Sequence, residues 1–421
     1  MINYLESFKI LKLIKNKIFP FYKEKATNDL MKKFKKFKSS ENENAMFVGG
    51  CVRKFLKNEV VDDIDIATIF SPQEIKKIFL NSEYKLVETG LKHGSVTLIK
   101  DKKKFEITVL RKDVKTDGRH ADIERIEDWN EDSNRRDFTI NSIYMNHKGK
   151  LFDPQNGIQD LKNNVVKFIG DPSKRIEEDF LRIIRYLRFS LQYNSNPDNQ
   201  TLKIIKLNIN KIGEVSKERL LSELRKILKL ENFLKIDENN DFKEIFILIF
   251  PEFRNLNKLK RLKKIQKIYQ FSEILLLASM LIDGKDNHEY FCHKYKTSNL
   301  IKEDLKSLAN GFFLSQKDKN FFKSNFTKNL YRFKKEKFIQ ILILNFLDRK
   351  ENDLKKLFQL IQFIKKTKIP KFIYDGSFLK NRGLKEGKKL GNILKEIENL
   401  WVSNNFKISD KEINELVEKS N

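Results

Sequence analysis

The chain has 421 residues, of which 40% are hydrophobic, so it has material for two or three domains with sizeable cores and is not a disordered chain. No apolar run approaches the roughly 20 residues of a membrane span, and only Cys51 and Cys292 are present, which excludes a disulfide framework and predicts a cytoplasmic protein. The formal net charge of +27 predicts a polyanionic partner, and we favour nucleic acid over an anionic membrane surface.

Short strand and helix signals follow one another from residue 45. Before that point, residues 1–44 combine lysines with apolar residues and end in "SSENEN", which predicts a helical extension and a linker. The stretch "AMFVGG" predicts a strand that ends in glycines, and "CVRKFL" predicts the start of a helix. The period-two pattern of "DIDIATIF" (63–70) indicates a half-buried strand, and "SPQE" (71–74) is typical of a helix N-terminus.

The next two apolar stretches, "SVTLIK" and "KFEITVLR", lie close together and predict a β-hairpin. This gives a mixed sheet of four or five strands. From about residue 171 onward, strand signals nearly vanish and helical patterns with lysine-rich faces take over. We therefore predict an α+β protein with an extension at 1–44, a small mixed-sheet head (palm) at 45–170, a helical neck at 171–240, and a helical body and tail at 241–421.

Two carboxylates stand two residues apart on the third predicted element. Asp63 and Asp65 would project from the same face of a strand, where they repel each other unless a cation neutralises them. Oxygen ligands of this kind suit Mg²⁺, which typically binds one or two carboxylates together with substrate phosphates. If the hairpin strand that carries Glu106 is a neighbour, this third acid completes a site for two metal ions.

A glycine pair lies upstream of these acids, at the predicted strand-to-helix turn. At Gly49 and Gly50 the bare backbone can approach a phosphate, and Arg53 follows one turn into the helix. A lone Asp-x-Asp is weak evidence, but its combination with the glycine turn favours a nucleotide triphosphate site.

The stretch "RIEEDFLRIIRYLRFSL" (175–191) predicts one helix with an apolar stripe and a charged face. Asp179, Arg182, Arg185 and Arg188 all lie off the stripe. Arginine binds planar edges and phosphates through two parallel hydrogen bonds. An Asp accepts from the amino group of cytosine or adenine while an Arg donates to the ring nitrogen, whereas uracil and guanine present the reverse pattern. The pair Asp179 and Arg182 could therefore select C or A without a template strand.

These motifs in this order resemble a known family. "FVGGCVRKFL", "VDDIDIAT", "FEITVLR", "DGR", "RRDFTINSIYM", "LFDPQNGIQDLKNNVVKFIG" and "RIEEDFLRIIRYLRF" are similar to the bacterial tRNA CCA-adding enzymes and poly(A) polymerases, the class II nucleotidyltransferases. The likeness is dense from 47 to 189 and weaker through "VSKERLLSELRKIL" and "RGLKEGKKLGNILKEIENLW". It implies addition of CMP and AMP, from CTP and ATP, to the 3′ end of tRNA, whose acceptor arm the helical body would hold.

The resemblance also implies roles for single residues. Asp63 and Asp65 would hold Mg²⁺, with Glu106 as the third catalytic acid. Asp179 and Arg182 would be the protein template for the base. The nucleotide-binding residues would further include Gly50, Arg53, Arg136, Asp137, Arg185 and Arg188. "DGR" (117–119) resembles a mobile segment that helps the switch from C to A.

Two positions depart from the family pattern, and two further motifs have other interpretations. Lys54 stands where the family commonly has an acid, and Asn58 replaces a glycine that closes the helix, which Asn tolerates because it visits the left-handed region. "HEYFCHK" (288–294) lacks a zinc spacing and is interpreted as core or surface. "GLKEGKKLG" (383–391) is either an RNA phosphate contact or a glycine turn that packs helices.

Two rival functions remain. A poly(A) polymerase or a specialised CC- or A-adding enzyme shares the same head. A basic RNA-binding protein with an inactive head is the second rival, and the retained acids and arginines argue against it. The sequence gives no indication of the oligomeric state.

Overall fold

The computed structural model describes residues 20–38, 42–88, 94–117, 120–349 and 353–418. The chain forms two compact units, Met1–Ile249 and Phe250–Asn421. The predicted head (45–170) and neck (171–240) both lie in the first unit. The DGR segment is described only at Asp117, because 118–119 lie outside the described residues.

A mixed sheet organises the first unit. The strands are β1 (Ala45–Val48), β2 (Ile64–Thr68), β3 (Lys85–Val87), β4 (Ser95–Lys100), β5 (Lys103–Val109), β6 (Arg111–Asp117), β7 (His120–Arg125), β8 (Tyr144–Met145) and β9 (Leu151–Phe152). Seven of them form one sheet in the order β3-β4-β5-β2-β1-β8-β9, and β6 pairs with β7. Within the large sheet β2 and β5 are parallel, whereas the other pairs are antiparallel.

The α+β class and the β4–β5 hairpin are confirmed, but the prediction of four or five strands was too low. The strands β3, β8 and β9 have only two or three residues, too few for a period-two signal to appear. The strands β6 (RKDVKTD) and β7 (HADIER) are largely polar and carry no strand pattern.

Ten helices of the first unit are described. They are α1 (Lys25–Phe37), α2 (Gly50–Leu56), α3 (Pro72–Ile78), α4 (Trp129–Asn134), α5 (Gly157–Lys162), α6 (Pro172–Glu178), α7 (Leu181–Tyr193), α8 (Asn199–Asn208), α9 (Lys217–Leu228) and α10 (Asn240–Ile249). The predicted start of α3 is confirmed, because Ser71 and Glu74 form a reciprocal capping box there. Asn58 adopts φ 56°, the left-handed conformation expected for this position.

The described part of the N-terminal extension packs on the head. In α1 the side chains of Leu30, Met31 and Phe34 are buried, and Phe34 stacks on Phe70 at a centroid distance of 5.9 Å. Residues 20–38 therefore contribute to the core of the head, while residues 1–19 lie outside the described residues.

The helix predicted over 175–191 is broken in two, so the prediction of one continuous helix is wrong. Asp179 leaves the helical conformation at φ −160° and ψ 104°, between α6 and α7. Its carboxylate accepts a hydrogen bond from the N–H of Leu181, the first residue of α7, at 3.1 Å. The apolar stripe survives the break, since Ile176, Ile183 and Leu187 are all buried.

The second unit contains helices joined by loops, with no strand among its described residues. Its helices are α11 (Lys258–Ile265), α12 (Glu273–Leu281), α13 (Asn287–Lys294), α14 (Asn299–Lys317), α15 (Phe326–Asp348), α16 (Leu354–Lys366), α17 (Gly376–Lys380), α18 (Lys388–Ser403) and α19 (Asp410–Glu418). "HEYFCHK" lies on α13, where His288 and Cys292 are buried. In the described part of the chain no helix is both long and apolar enough to cross a bilayer.

Candidate active site

The turn between β1 and α2 is built around the carboxylate of Asp65. Gly49 adopts φ +69°, a conformation that favours glycine. A Cβ added to Gly50 would lie 3.3 Å from Oδ2 of Asp65, closer than most side chains tolerate. The backbone N–H of Gly50 donates to the Asp65 carboxylate. The glycines thus allow the carboxylate and the helix N-terminus to lie in contact.

Asp65 and Glu106 face each other across two parallel strands. The register pairs Asp65 on β2 with Glu106 on β5. Burial raises the pKa of Asp65 above its ordinary value, and the charge of Glu106 raises it further. The predicted neighbourhood of the two strands is therefore observed, and the repulsion between the two carboxylates favours a cation between them.

Asp63 lies one residue before β2 and is exposed. The ammonium of Lys104 bonds Oε1 of Glu106 at 2.7 Å, and its pKa is raised by Glu106 and, more weakly, by Asp63 and Asp65. No group of three or more His, Cys, Asp or Glu side chains arranged to hold a metal ion occurs among the described residues. The carboxylate oxygens of this strand pair suit Mg²⁺ chemically. The Lys104 ammonium partly neutralises these carboxylates.

Arg53 extends from α2 across to α7. Its Nε donates to the hydroxyl of Tyr193 at 3.1 Å, and its Nη1 donates to the side-chain oxygen of Asn141. The guanidinium lies 4.8 Å from the centroid of the Phe189 ring. Its charge also lowers the pKa of Asp65, against the larger effects of burial and Glu106. Arg53 therefore connects the acidic strand pair with the neck.

Arg136 is held by a buried acid that the sequence analysis did not select. Asp132 accepts from Nε and Nη2 of Arg136 at 3.2 and 3.0 Å, and from the hydroxyl of Tyr144 at 2.7 Å. Burial alone would raise the pKa of Asp132, but Arg136 and Arg135 outweigh it and lower the pKa to about 2. The spacing of four residues between Asp132 and Arg136 was the available sequence signal.

Asp137 joins the head to the second neck helix. Its Oδ2 accepts from Nε and Nη2 of Arg185 at 2.8 and 2.6 Å, and its Oδ1 accepts from Asn141 at 2.6 Å. Although burial opposes ionisation, these donors hold the pKa of Asp137 well below its ordinary value. Because Asn141 also contacts Arg53, polar contacts lead from Arg53 through Asn141 and Asp137 to α7. Asp65 contacts the N-terminus of the helix that carries Arg53, through the backbone of Gly50.

The arginines of α7 are paired with acids instead of facing solvent. Glu223 on α9 is buried and accepts from Nε of Arg188 at 2.6 Å, while Nη1 of Arg185 lies 3.5 Å from its other oxygen. Arg188 also stacks on Phe189 at 3.9 Å. Glu223 was not selected from the sequence, because its partners lie on another helix.

The two predicted base-reading residues each have an ionic partner. Nη1 and Nη2 of Arg219, on α9, donate to the two oxygens of Asp179 at 3.2 and 2.6 Å. Nη1 of Arg182 donates to Glu178 at 2.5 Å and to the carbonyl of Arg175 at 2.7 Å. Asp179 and Arg182 are therefore joined by their backbones, with an N–H···O=C bond of 3.0 Å, and not by their side chains.

Lys54, the departure from the family pattern, forms an ion pair with Asp62. Oδ1 of Asp62 also accepts from the backbone N–H of Asp63 at 3.1 Å. A lysine at this position thus contacts the loop that carries the first predicted metal ligand.

The sheet, the glycine turn and the arginine-bearing neck are typical of nucleotidyltransferases, and the similarities to known proteins agree. Residues 45–167 match the family described as Poly A polymerase head domain, and residues 270–417 match tRNA nucleotidyltransferase domain 2. The human mitochondrial CCA tRNA nucleotidyltransferase 1 is 30% identical over 397 residues, covering 90% of this chain and 88% of that protein. A CCA-adding enzyme of Lactobacillus helveticus is 29% identical, covering 89% and 92%.

The fold has solved counterparts as well. The crystal structure of the Bacillus stearothermophilus CCA-adding enzyme in complex with CTP superposes with a TM-score of 0.67 and 20% identity, covering 94% of this chain and 98% of that one. Together with the 30% identity to the human protein, the family matches show that the protein is a nucleotidyltransferase by class. Within that class, the chain belongs to the CCA-adding tRNA nucleotidyltransferase family.

Proposed function

We propose that this enzyme adds CMP and then AMP to the 3′ end of tRNA without a nucleic-acid template. The observation that carries the proposal is the chain of polar contacts from Arg53 through Asn141 and Asp137 to Arg185, with Asp65 held at the N-terminus of the helix that carries Arg53. It connects an acidic strand pair, suited to phosphate chemistry, with the helix α7, which carries Arg182 and begins two residues after Asp179. The family membership supports tRNA, CTP and ATP as the substrates.

Asp63 and Asp65 would hold Mg²⁺, with Glu106 as the third acid. Bound Mg²⁺ would supply charge neutralisation for an attacking ribose hydroxyl and for a departing pyrophosphate. The protein's own part is positioning: the Gly50 N–H holds the Asp65 carboxylate, and the Lys104 ammonium holds Glu106 at 2.7 Å. Burial and the charge of Glu106 raise the pKa of Asp65, so its ionised form costs free energy without a cation nearby, which favours cation binding at this position.

The triphosphate and ribose would contact the backbone of Gly50 and the side chains of Arg53, Arg136 and Asp137. Asp132 and Tyr144 hold the Arg136 guanidinium in one orientation, so little rotamer freedom is lost when a nucleotide binds. Arg185 and Arg188 are likewise held by Asp137 and Glu223.

Base choice would depend on Asp179 and Arg182. The carboxylate accepts from the amino group of cytosine or adenine, and the guanidinium donates to the adjacent ring nitrogen. Arg182 would have to reorient to reach a base, because its Nη1 is bonded to Glu178 and the Arg175 carbonyl. The helical second unit would hold the tRNA acceptor arm through phosphate contacts that weaken with salt.

The decisive experiment is to sequence the 3′ end of the product. A tRNA that lacks its terminal CCA is incubated with CTP and ATP, and the product should end after three added nucleotides, C, C and A. Open-ended A tracts would indicate a poly(A) polymerase instead, and a stop after two C or one A would indicate a specialised enzyme. In parallel, Asp63→Ala should abolish transfer while tRNA affinity stays close to that of the wild type. Unchanged turnover in that variant would refute the metal assignment.

A further inference from the structure

Arg219 forms a two-point contact with Asp179. Its two terminal nitrogens donate to the two carboxylate oxygens, at 3.2 and 2.6 Å, and Oδ1 also accepts the Leu181 N–H. Three hydrogen bonds therefore fix both the position and the plane of this carboxylate. The side chains are 30% and 21% exposed, so water does not fully screen the pair.

The helix that carries Arg219 is itself anchored to α7. Glu223 lies one turn further along α9 and pairs with Arg188 and Arg185. The first turn of α9 is capped by Ser216, whose side chain accepts from the N–H of Arg219. The backbone of Arg219 is therefore held at both sides, by the cap and by the next turn, and its guanidinium approaches Asp179 from a fixed position.

We infer that Arg219 is a positioning residue for base selection, because it orients the carboxylate with which Asp179 reads the incoming base. The inference rests on the proposed role of Asp179. Asp179 has an extended backbone conformation between two helices, so no helical turn restrains its side chain. A carboxylate has about four acceptor sites on its two oxygens, so three bonds leave Oδ2 with capacity for an amino group in one defined direction.

The inference predicts a loss of selectivity rather than a loss of reaction. Without Arg219 the carboxylate can rotate and accommodate a water molecule or an alternative donor, such as the ring N–H of uracil. We expect Arg219→Ala to lower the CTP:UTP ratio of kcat/KM about tenfold, since one orienting charged contact is lost. Arg219→Lys keeps the charge but not the planar fork, so it should restore the ratio only in part.

The experiment compares four variants in full-length enzyme: Arg219→Ala, Arg219→Lys, Asp179→Ala, and the double variant Arg219→Ala/Asp179→Ala. Lys217→Ala is the matched control, because it removes a positive charge from the same helical turn, and the Lys217 ammonium makes a long contact of 3.5 Å with the Gly213 carbonyl. Single-turnover rates with CTP and UTP are measured together with thermal midpoints.

The outcomes separate this inference from the proposed function. If Arg219 acts through Asp179, the double variant should have the selectivity of Asp179→Ala alone. If Asp179→Ala keeps full selectivity, the base-reading proposal itself fails. If Asp179→Ala relaxes selectivity while Arg219→Ala only lowers the thermal midpoint, the ion pair is merely structural and the inference about Arg219 is overturned. Raised selectivity in Arg219→Ala would overturn it too.

Discussion

Asp65 lies opposite Glu106 in the parallel pair β2–β5, where burial and the charge of Glu106 both raise the pKa of Asp65. The ionised form of Asp65 therefore costs stability at neutral pH. A fold would avoid such a pair unless a cation or a substrate used it. The relationship between the two residues therefore connects the stability of the head with the proposed chemistry.

Asp65→Asn should produce a more stable but inactive enzyme. A raised pKa means that ionised Asp65 destabilises the fold at neutral pH, so the neutral amide should raise the thermal midpoint there. The gain should vanish as the pH falls through the raised pKa and below the ordinary value of 3.8, where the wild-type carboxyl is protonated. Midpoints measured from pH 3 to about 8 would check this dependence.

Asp63→Asn provides the control for this experiment. Asp63 is exposed, so the same change should abolish transfer with little effect on the midpoint. A lower midpoint for Asp65→Asn at neutral pH would contradict the electrostatic argument.

Gly50→Ala should lower activity without unfolding the head. The added Cβ would lie 3.3 Å from Oδ2 of Asp65, so the carboxylate has to shift by a few tenths of an ångström. We expect kcat to fall about tenfold, because small displacements of a catalytic group are costly. Gly213→Ala is the matched control, since its Cβ would meet no heavy atom within 4 Å. Equal activity in both variants would show that the close contact is unimportant.

Asp132→Asn should destabilise the head by about 3 kcal/mol at neutral pH, because it removes the buried counter-charge of two arginines that are each only 15% exposed. The pKa of Asp132 is lowered to about 2, so its stabilising contribution is present above the ordinary value of 3.8 and is lost as the pH falls towards 2. The difference in unfolding free energy between wild type and variant should therefore shrink over that range.

Denaturant titrations at several pH values would measure this difference. Glu131→Gln is the control on the same helix, since Glu131 makes an exposed pair with Lys112 at 3.1 Å and such pairs contribute little. The KM for nucleotide should rise in Asp132→Asn, since Asp132 holds Arg136. A pH-independent difference would argue against an ionised Asp132.

Local patterns were sufficient to predict part of the head. The glycine turn before α2, the capping box of α3 and the left-handed Asn58 follow from preferences within a few residues. The period-two strands β2 and β5 were recognised for the same reason. These features depend on backbone geometry, which neighbouring residues largely determine.

The ion-pair partners could not be predicted in this way. Arg219 lies 40 residues from Asp179, and Glu223 lies 35 residues from Arg188. Which acid pairs with which arginine depends on how α7 and α9 pack, and a helical wheel shows only that these residues avoid the apolar stripe. The break at Asp179 was missed because the apolar periodicity continues through it.

Arg182→Ala tests the other half of the proposed base reader. The guanidinium would donate to the ring nitrogen of cytosine or adenine, which uracil and guanine replace by an N–H. Its removal should lower discrimination against UTP and GTP about tenfold. Without the guanidinium, the N–H of uracil or guanine no longer faces a second donor, so the wrong base is no longer penalised. Lys174→Ala on the neighbouring helix is a control, since Lys174 is exposed.

Arg182 also bonds Glu178 and the carbonyl of Arg175, so part of any loss in Arg182→Ala could come from α6. Glu178→Gln separates the two effects, because it weakens this helix contact while the guanidinium stays in place. Selectivity should hold in Glu178→Gln and fall in Arg182→Ala. A variant of Arg182 that is slower with every nucleotide yet equally selective would mean that the residue supports the neck and does not read the base.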